Sequence, residues 1–239
     1  MFALLFGIIS LLYATVGQAG GTAFLALMTF ASFAPSEMRP TALALNIVAA
    51  TYSTWAFNRN KAIDWRKLWI LLASSMPTAL LGGLIVLDER IYKTTTGVVL
   101  LIAGAVTILG RDEAASPDRN APLWGAASVG GVVGLISGLT GVGGGVFLAP
   151  TMIALHWASP KQTAALSAPF ILANSSVGLI GTLFAGQLPS SHLIQYAVAA
   201  LAGAIVGTAI GLRWLGQAPT RFILAGILLA AGMQSIFWR

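Results

Sequence analysis

Three consecutive glycines, Gly143-Gly144-Gly145, follow Gly141-Val142 and lead straight into Val146-Phe147-Leu148-Ala149-Pro150. They lie inside an apolar run from Leu123 to Trp157 that contains no charged residue. Each glycine in a helix interior costs about 1 kcal/mol, so the cluster predicts a broken backbone. A bilayer admits non-helical backbone only where protein or a water-filled cavity covers it. A turn that opens a short helix aims unpaired N–H groups past the helix start, and that place favours an anion. Gly17-Gln18-Ala19-Gly20-Gly21-Thr22 is a second, more degenerate version of the same stretch. Close packing by small residues is the structural alternative, and it suffices for Gly203, Gly207 and Gly211.

Neutral polar side chains fall near the middle of other apolar spans: Thr51 and Ser53 in one, Asn174, Ser175 and Ser176 in another. Interhelical hydrogen bonds, at roughly 1–2 kcal/mol or less each, would explain them structurally. Lining a cavity opposite the glycines would explain them functionally. With neutral donors at the turns added, the candidate substrate-binding set is Gln18, Gly20, Gly21, Thr22, Thr51, Ser53, Thr140, Gly143, Gly144, Gly145, Asn174 and Ser175. Carboxylates are confined to span ends and loops: Glu37, Asp64, Asp88, Glu89, Asp112, Glu113 and Asp118. Intramembrane carboxylates mark proton relays and cation sites, so cation pumping is disfavoured. The chain has no cysteine, which removes disulfides and thiolate metal sites; neither a metal nor another cofactor is expected. His156 and His192, at span ends, are better explained as structural. Arg39 and Lys161, near the starts of two apolar spans, are expected to anchor the interface, the alternative being to draw anions to the mouth. No H-E-x-x-H, G-x-S-x-G or P-loop lysine occurs, so the chain is not expected to be an enzyme.

Composition places these residues in a membrane. Of 239 residues 57% are hydrophobic and 8% charged, against about a quarter charged in a soluble domain. The net charge of +6 comes from basic residues scattered singly between apolar spans, which argues against a nucleic-acid partner. Met1 to Val16 resembles a signal-peptide core but lacks a positive start, and the apolar run continues past Ala19; it is expected to remain in the fold.

The spans are Phe2–Phe33, Thr41–Phe57, Leu68–Leu87, Thr94–Gly110, Leu123–Trp157, Gln162–Ala185, Leu193–Leu212 and Phe222–Trp238. The first and fifth, roughly 32–35 residues long, exceed one crossing of about 20 and fall short of two. Each is expected to be a broken, re-entrant hairpin with its tip at the glycines. Gly17–Gly21 aligns with Gly141–Gly145, Thr41-Ala42-Leu43 with Ala164-Ala165-Leu166, and Thr51-Tyr52-Ser53 with Asn174-Ser175-Ser176. That is a repeat of about 124 residues, far beyond solenoid periods. Residues 1–110 and 123–239 would be the two membrane repeats, joined by a polar linker at 111–122. If each long span exits where it entered, Arg59, Lys61, Arg66, Lys67, Arg111, Arg119, Lys161, Arg213 and Arg221 share one side. Arg39, Arg90, Lys93 and Arg239 share the other. That bias makes the first side cytoplasmic and the repeats inverted, the usual build of a secondary transporter.

The glycine stretch through Pro150, both long spans and the Ala62-Ile63-Asp64-Trp65 loop resemble the TauE/SafE family of sulfite and organosulfonate exporters. The resemblance implies export of a sulfur-containing anion across a bacterial inner membrane. The expectation is therefore an all-α, polytopic transporter with a central site between two glycine tips. Its partners would be a small anion and the lipid bilayer, with self-association left open. An anion channel of the same fold and an uptake carrier are the alternatives; a non-transporting scaffold is the third.

Overall fold

The computed structural model of the chain describes residues 2–109 and 121–213, with 229, 232, 233 and 235. Among the described residues the regular structure is entirely helical. The helices are α1 (Phe2–Ala14), α2 (Gly21–Phe30), α3 (Pro35–Arg59), α4 (Trp65–Leu84), α5 (Glu89–Leu109), α6 (Leu123–Thr140), α7 (Gly145–Ala154), α8 (Pro160–Phe184) and α9 (Leu193–Arg213). The polar linker, apart from Ala121 and Pro122, and most of the last expected span, Phe222–Trp238, lie outside the described residues.

Local chemistry sets the helix starts. Pro35 and Pro160 open α3 and α8, where proline's missing N–H would have no helical partner anyway. Asp64 caps α4 by accepting from the N–H groups of Arg66 (3.1 Å) and Lys67 (3.2 Å). Ser159 and Gln162 form a capping box on α8.

Among the described residues four helices are long and apolar enough to cross a membrane: Trp65–Leu84, Leu123–Thr140, Lys161–Phe184 and Leu193–Leu212. The outer surface is apolar to match, with Trp124 87%, Phe184 80% and Ile194 78% exposed. Hydrophobic side chains spread over a surface at that exposure need lipid around them. The protein is multi-pass.

The helices interlock across the chain. α1 runs against α9 and α6 against α4; α3 packs on α8, α4 on α8 and α9 on α3. Exchanging α1–α4 with α6–α9 turns α1 on α9 into α6 on α4 and α4 on α8 into α9 on α3, and leaves α3 on α8 as it is. Small residues permit the closest crossings. A Cβ at Gly203, Gly207 or Gly211 of α9 would overlap a carbonyl oxygen of α1 or the turn after it, at Gly7, Leu11 and Thr15. On α6, one at Gly134 or Gly138 would overlap the carbonyls of Ser75 and Ala79 in α4. These crossings are the close packing that small residues allow in membranes. The short helices pack into two apolar clusters: Phe24, Leu25 and Met28 of α2 with Phe6, Leu45, Leu100 and Val146 of α7, and Leu148 and Met152 of α7 with Leu68, Leu71 and Phe170.

Candidate functional site

Both long apolar spans are interrupted at their glycines. The chain leaves α1 at Ala14 and re-enters helix at Gly21; it leaves α6 at Thr140 and re-enters at Gly145. The breaks share a backbone. Gly17 (φ 74°) matches Gly141 (87°), Gly20 (106°) matches Gly144 (81°), and Gly143 adds a further left-handed residue at 84°. Only glycine adopts such values without strain. Gly20 and Gly144 are the N-caps of α2 and α7, neither with a side-chain cap. Among the described residues no protein acceptor takes the N–H groups of Gly143, Gly144, Gly145 or Val146. They are the open donors that every helix start exposes.

The two breaks touch. A Cβ on Gly21 would overlap the carbonyl oxygen of Val142, so the first tip lies on the second. Between them stands Asn46 of α3, fully buried. A Cβ at Gly21 would sit 2.5 Å from its Nδ2 and 2.9 Å from its Oδ1, and one at Gly143 2.7 Å from its Nδ2. Asn46 Nδ2 donates to the Gly141 carbonyl at 3.3 Å, while Oδ1 has no partner. Ser175 of α8 completes the wall: its Oγ lies 3.2 Å from the position of a Cβ on Gly143, and it too is buried and unpaired. Ser137, whose Cβ lies 3.6 Å from a Cβ position on Gly144, is likewise buried with an unpaired hydroxyl.

These contacts correct the register of the halves beyond the glycines. Gly17 packs against the Ala164 carbonyl and Gly141 against that of Arg39, so Arg39 is the counterpart of Ala164. The sequence alignment had Thr41 there. The same shift pairs Asn46 with Ile171, which lines Gly143 and Gly145. One half thus brings an amide to the tips where the other brings an apolar side chain.

The profile of the family described as Sulfite exporter TauE/SafE matches residues 2–235. The chain belongs to this family. A probable membrane transporter protein, y4hK, of Sinorhizobium fredii is 35% identical, covering 99% of this chain and 97% of that one. Two probable membrane transporter proteins of Bacillus subtilis are more distant. YjnA is 27% identical over 91% of this chain and 92% of its own, and YunE 24% over 90% and 86%. No solved structure matches the chain.

In this TauE/SafE member the remaining candidates divide. Thr22 lies at the first tip, its hydroxyl 2.9 Å from that of Tyr13. Gln18 is half-buried in the first break. Thr140 donates to the Ile136 carbonyl (2.7 Å) and receives the Val142 N–H (3.4 Å), closing the second break. Asn174 is buried, with Nδ2 donating to the Phe170 carbonyl (2.9 Å) and Oδ1 unpaired. Thr51 is not brought to the tips: it is exposed, and its hydroxyl returns to the Ile47 carbonyl at 2.6 Å. Ser53 makes an interhelical bond to Thr208 of α9 at 2.9 Å. Ser53→Ala is therefore expected to cost about 0.6 kcal/mol and at most about 1.7, with ligand affinity unchanged in a titration.

Arg39 departs most from its expected role. Rather than anchoring the interface, it is 1% exposed. Its guanidinium donates to the carbonyls of Ile85 (2.8 Å), Gly83 (3.0 Å), Gly82 (3.3 Å) and Leu139 (3.4 Å), and to Gln187 Oε1 (2.9 Å). It closes the C-terminal ends of α4 and α6, where backbone carbonyls lack helical partners and the dipoles are negative. Lys161, by contrast, is exposed. The carboxylates Glu37, Asp64, Asp88 and Glu89 are all exposed, so none approaches the tips.

Proposed function

We propose that this chain is a secondary transporter, not an enzyme, that exports a small anion across a bacterial inner membrane. Sulfite or an organosulfonate is the family's choice of substrate. The observation that carries the proposal is the contact of the two breaks, Gly21 against Val142, at the starts of α2 and α7, with no carboxylate beside them among the described residues. Each helix start presents about half a positive charge. Two of them, with the Ser137 and Ser175 hydroxyls, would replace the hydration shell of a monoanion. Moving one negative charge outward across about 100 mV, inside negative, gains about 2.3 kcal/mol, so export needs no coupling carboxylate. Residues 1–110 and 123–239 are the two inverted repeats in this proposal. Rocking of one against the other switches access, and the reciprocal packing of α1 on α9 and α6 on α4 is compatible with that motion.

The test is a thermal-shift screen of the purified protein against sulfite, sulfonates, sulfate, carboxylates and monovalent cations. Sulfite or a sulfonate at about 100 times its Kd should stabilise by about 2.7 kcal/mol. Cations should leave the melting temperature where it was. Stabilisation by a cation and by no anion would remove the proposal.

A further inference from the structure

The side-chain atom nearest both tips is a donor. Asn46 Nδ2 would lie 2.5 Å from a Cβ on Gly21 and 2.7 Å from one on Gly143, and the residue is fully buried. The Gly141 carbonyl, at 3.3 Å, orients the amide, because only Nδ2 can donate to it. An amide nitrogen carries two hydrogens, and among the described residues no acceptor takes the second. Ser175 Oγ, 3.2 Å from a Cβ position on Gly143, is also buried and unpaired, as is Ser137 Oγ behind Gly144. Buried donors left open are costly unless something accepts from them. Three such side chains around the start of α7, where the backbone N–H groups are open too, call for an accepting group.

The first break has no such set. In the register that packing imposes, Asn46 corresponds to Ile171 and Ser175 to Ala50. Ser137, four residues before Gly141, corresponds to Tyr13, four before Gly17, and the Tyr13 hydroxyl is already paired with Thr22 at 2.9 Å. Ala50 and Ile171 sit in an apolar cluster with Ala14, Ala19 and Ala49. The first break is therefore packed among apolar side chains, whereas the second meets open donors. One of those donors, Asn46, comes from α3, in the opposite half of the chain.

We infer that Asn46 is a ligand of the anion: it donates the free hydrogen of Nδ2 to an oxyanion seated at the start of α7, and so holds the cargo from the first half. The inference rests on the anion-export proposal and adds the residue that reads the cargo across the two halves. The anion site is then single and belongs to the second break, with the first break packed against it.

The experiment is calorimetric titration of the detergent-purified full chain with sulfite and with methanesulfonate. One anion should bind per chain. Asn46→Leu should weaken it by at least about tenfold, the loss of one hydrogen bond to a charged group. Asn46→Asp should weaken it at least as much. Its ionised form repels the anion, and its neutral form has one hydrogen for two acceptors, the Gly141 carbonyl and the ligand. Either variant binding as tightly as the wild type would overturn the inference while leaving anion export standing. Failure of both anions to bind the wild type would overturn the two together. Nuclear magnetic resonance of wild-type protein labelled on its five asparagine side-chain nitrogens decides the matter even if neither variant folds. Replacing the other four one at a time assigns the Asn46 signal, which saturating ligand should move; an Asn46 amide that does not respond would overturn the inference.

Discussion

Arg39→Met is expected to destabilise the protein by about 3 kcal/mol or more, because several buried acceptors each lose a donor at about 1–3 kcal/mol. The Arg39 guanidinium is the shared partner of carbonyls at Gly82, Gly83, Ile85 and Leu139 and of the Gln187 amide. Methionine fills much of the same space but donates nothing. Those carbonyls would then be buried without hydrogen bonds, in a surrounding that offers little water to replace them. Arg39→Lys keeps the charge and loses the planar fork. A single ammonium has three donors on one atom and cannot span the ends of two helices as the guanidinium does. The stability of the lysine variant should therefore fall between those of the wild type and the methionine variant. Equilibrium unfolding of the three proteins in one detergent measures this ranking. A methionine variant within about 1 kcal/mol of wild type would show that the helix ends hold without the clamp.

The interruptions of both long spans were legible because consecutive glycines in an apolar run have few other uses. Gly20 and Gly144 stand as N-caps at matching positions, with the same left-handed backbone. Thr51 could have been separated from Ser53 by periodicity alone. Residues two apart on an α-helix point about 200° from each other, so both could not face one cavity, and Thr51 is the one turned outward. Asn46 was hidden by register. Aligning Thr41 with Ala164 sets Asn46 opposite Pro169, away from the glycines, whereas packing sets it opposite Ile171, against Gly143. Repeats that drift by a residue or two at each connection cannot be aligned correctly from similarity of small side chains. Arg39 was misplaced for another reason. A basic residue at a span end reads as an interface anchor, and nothing in its own helix reveals that two other helices end beside it. The adjacent Gly82-Gly83 was the available signal, since small residues there let the backbone of α4 come close.

Two neighbouring glycines offer a cleaner test of the site than either alone. Gly143 and Gly144 both have left-handed backbone, at φ 84° and 81°, so alanine at either should cost about 1–2 kcal/mol for conformation. What the added Cβ meets differs. At Gly143 it would lie 2.7 Å from Asn46 Nδ2 and 3.2 Å from Ser175 Oγ, in the space assigned to the anion. At Gly144 it would lie 2.9 Å from Val133 Cγ1 and 3.1 Å from Phe170 Cε1, in the apolar packing behind the turn. Gly143→Ala is therefore expected to unfold somewhat more easily and to lose ligand-induced stabilisation by sulfite. Gly144→Ala should be at least as destabilised but keep that stabilisation, since its Cβ enters the core and its N–H remains. Unfolding of both variants with and without saturating sulfite separates the two effects, because the conformational penalty is common and the ligand term is not. Equal ligand shifts in the two would place the anion somewhere other than against Gly143, whatever their stabilities.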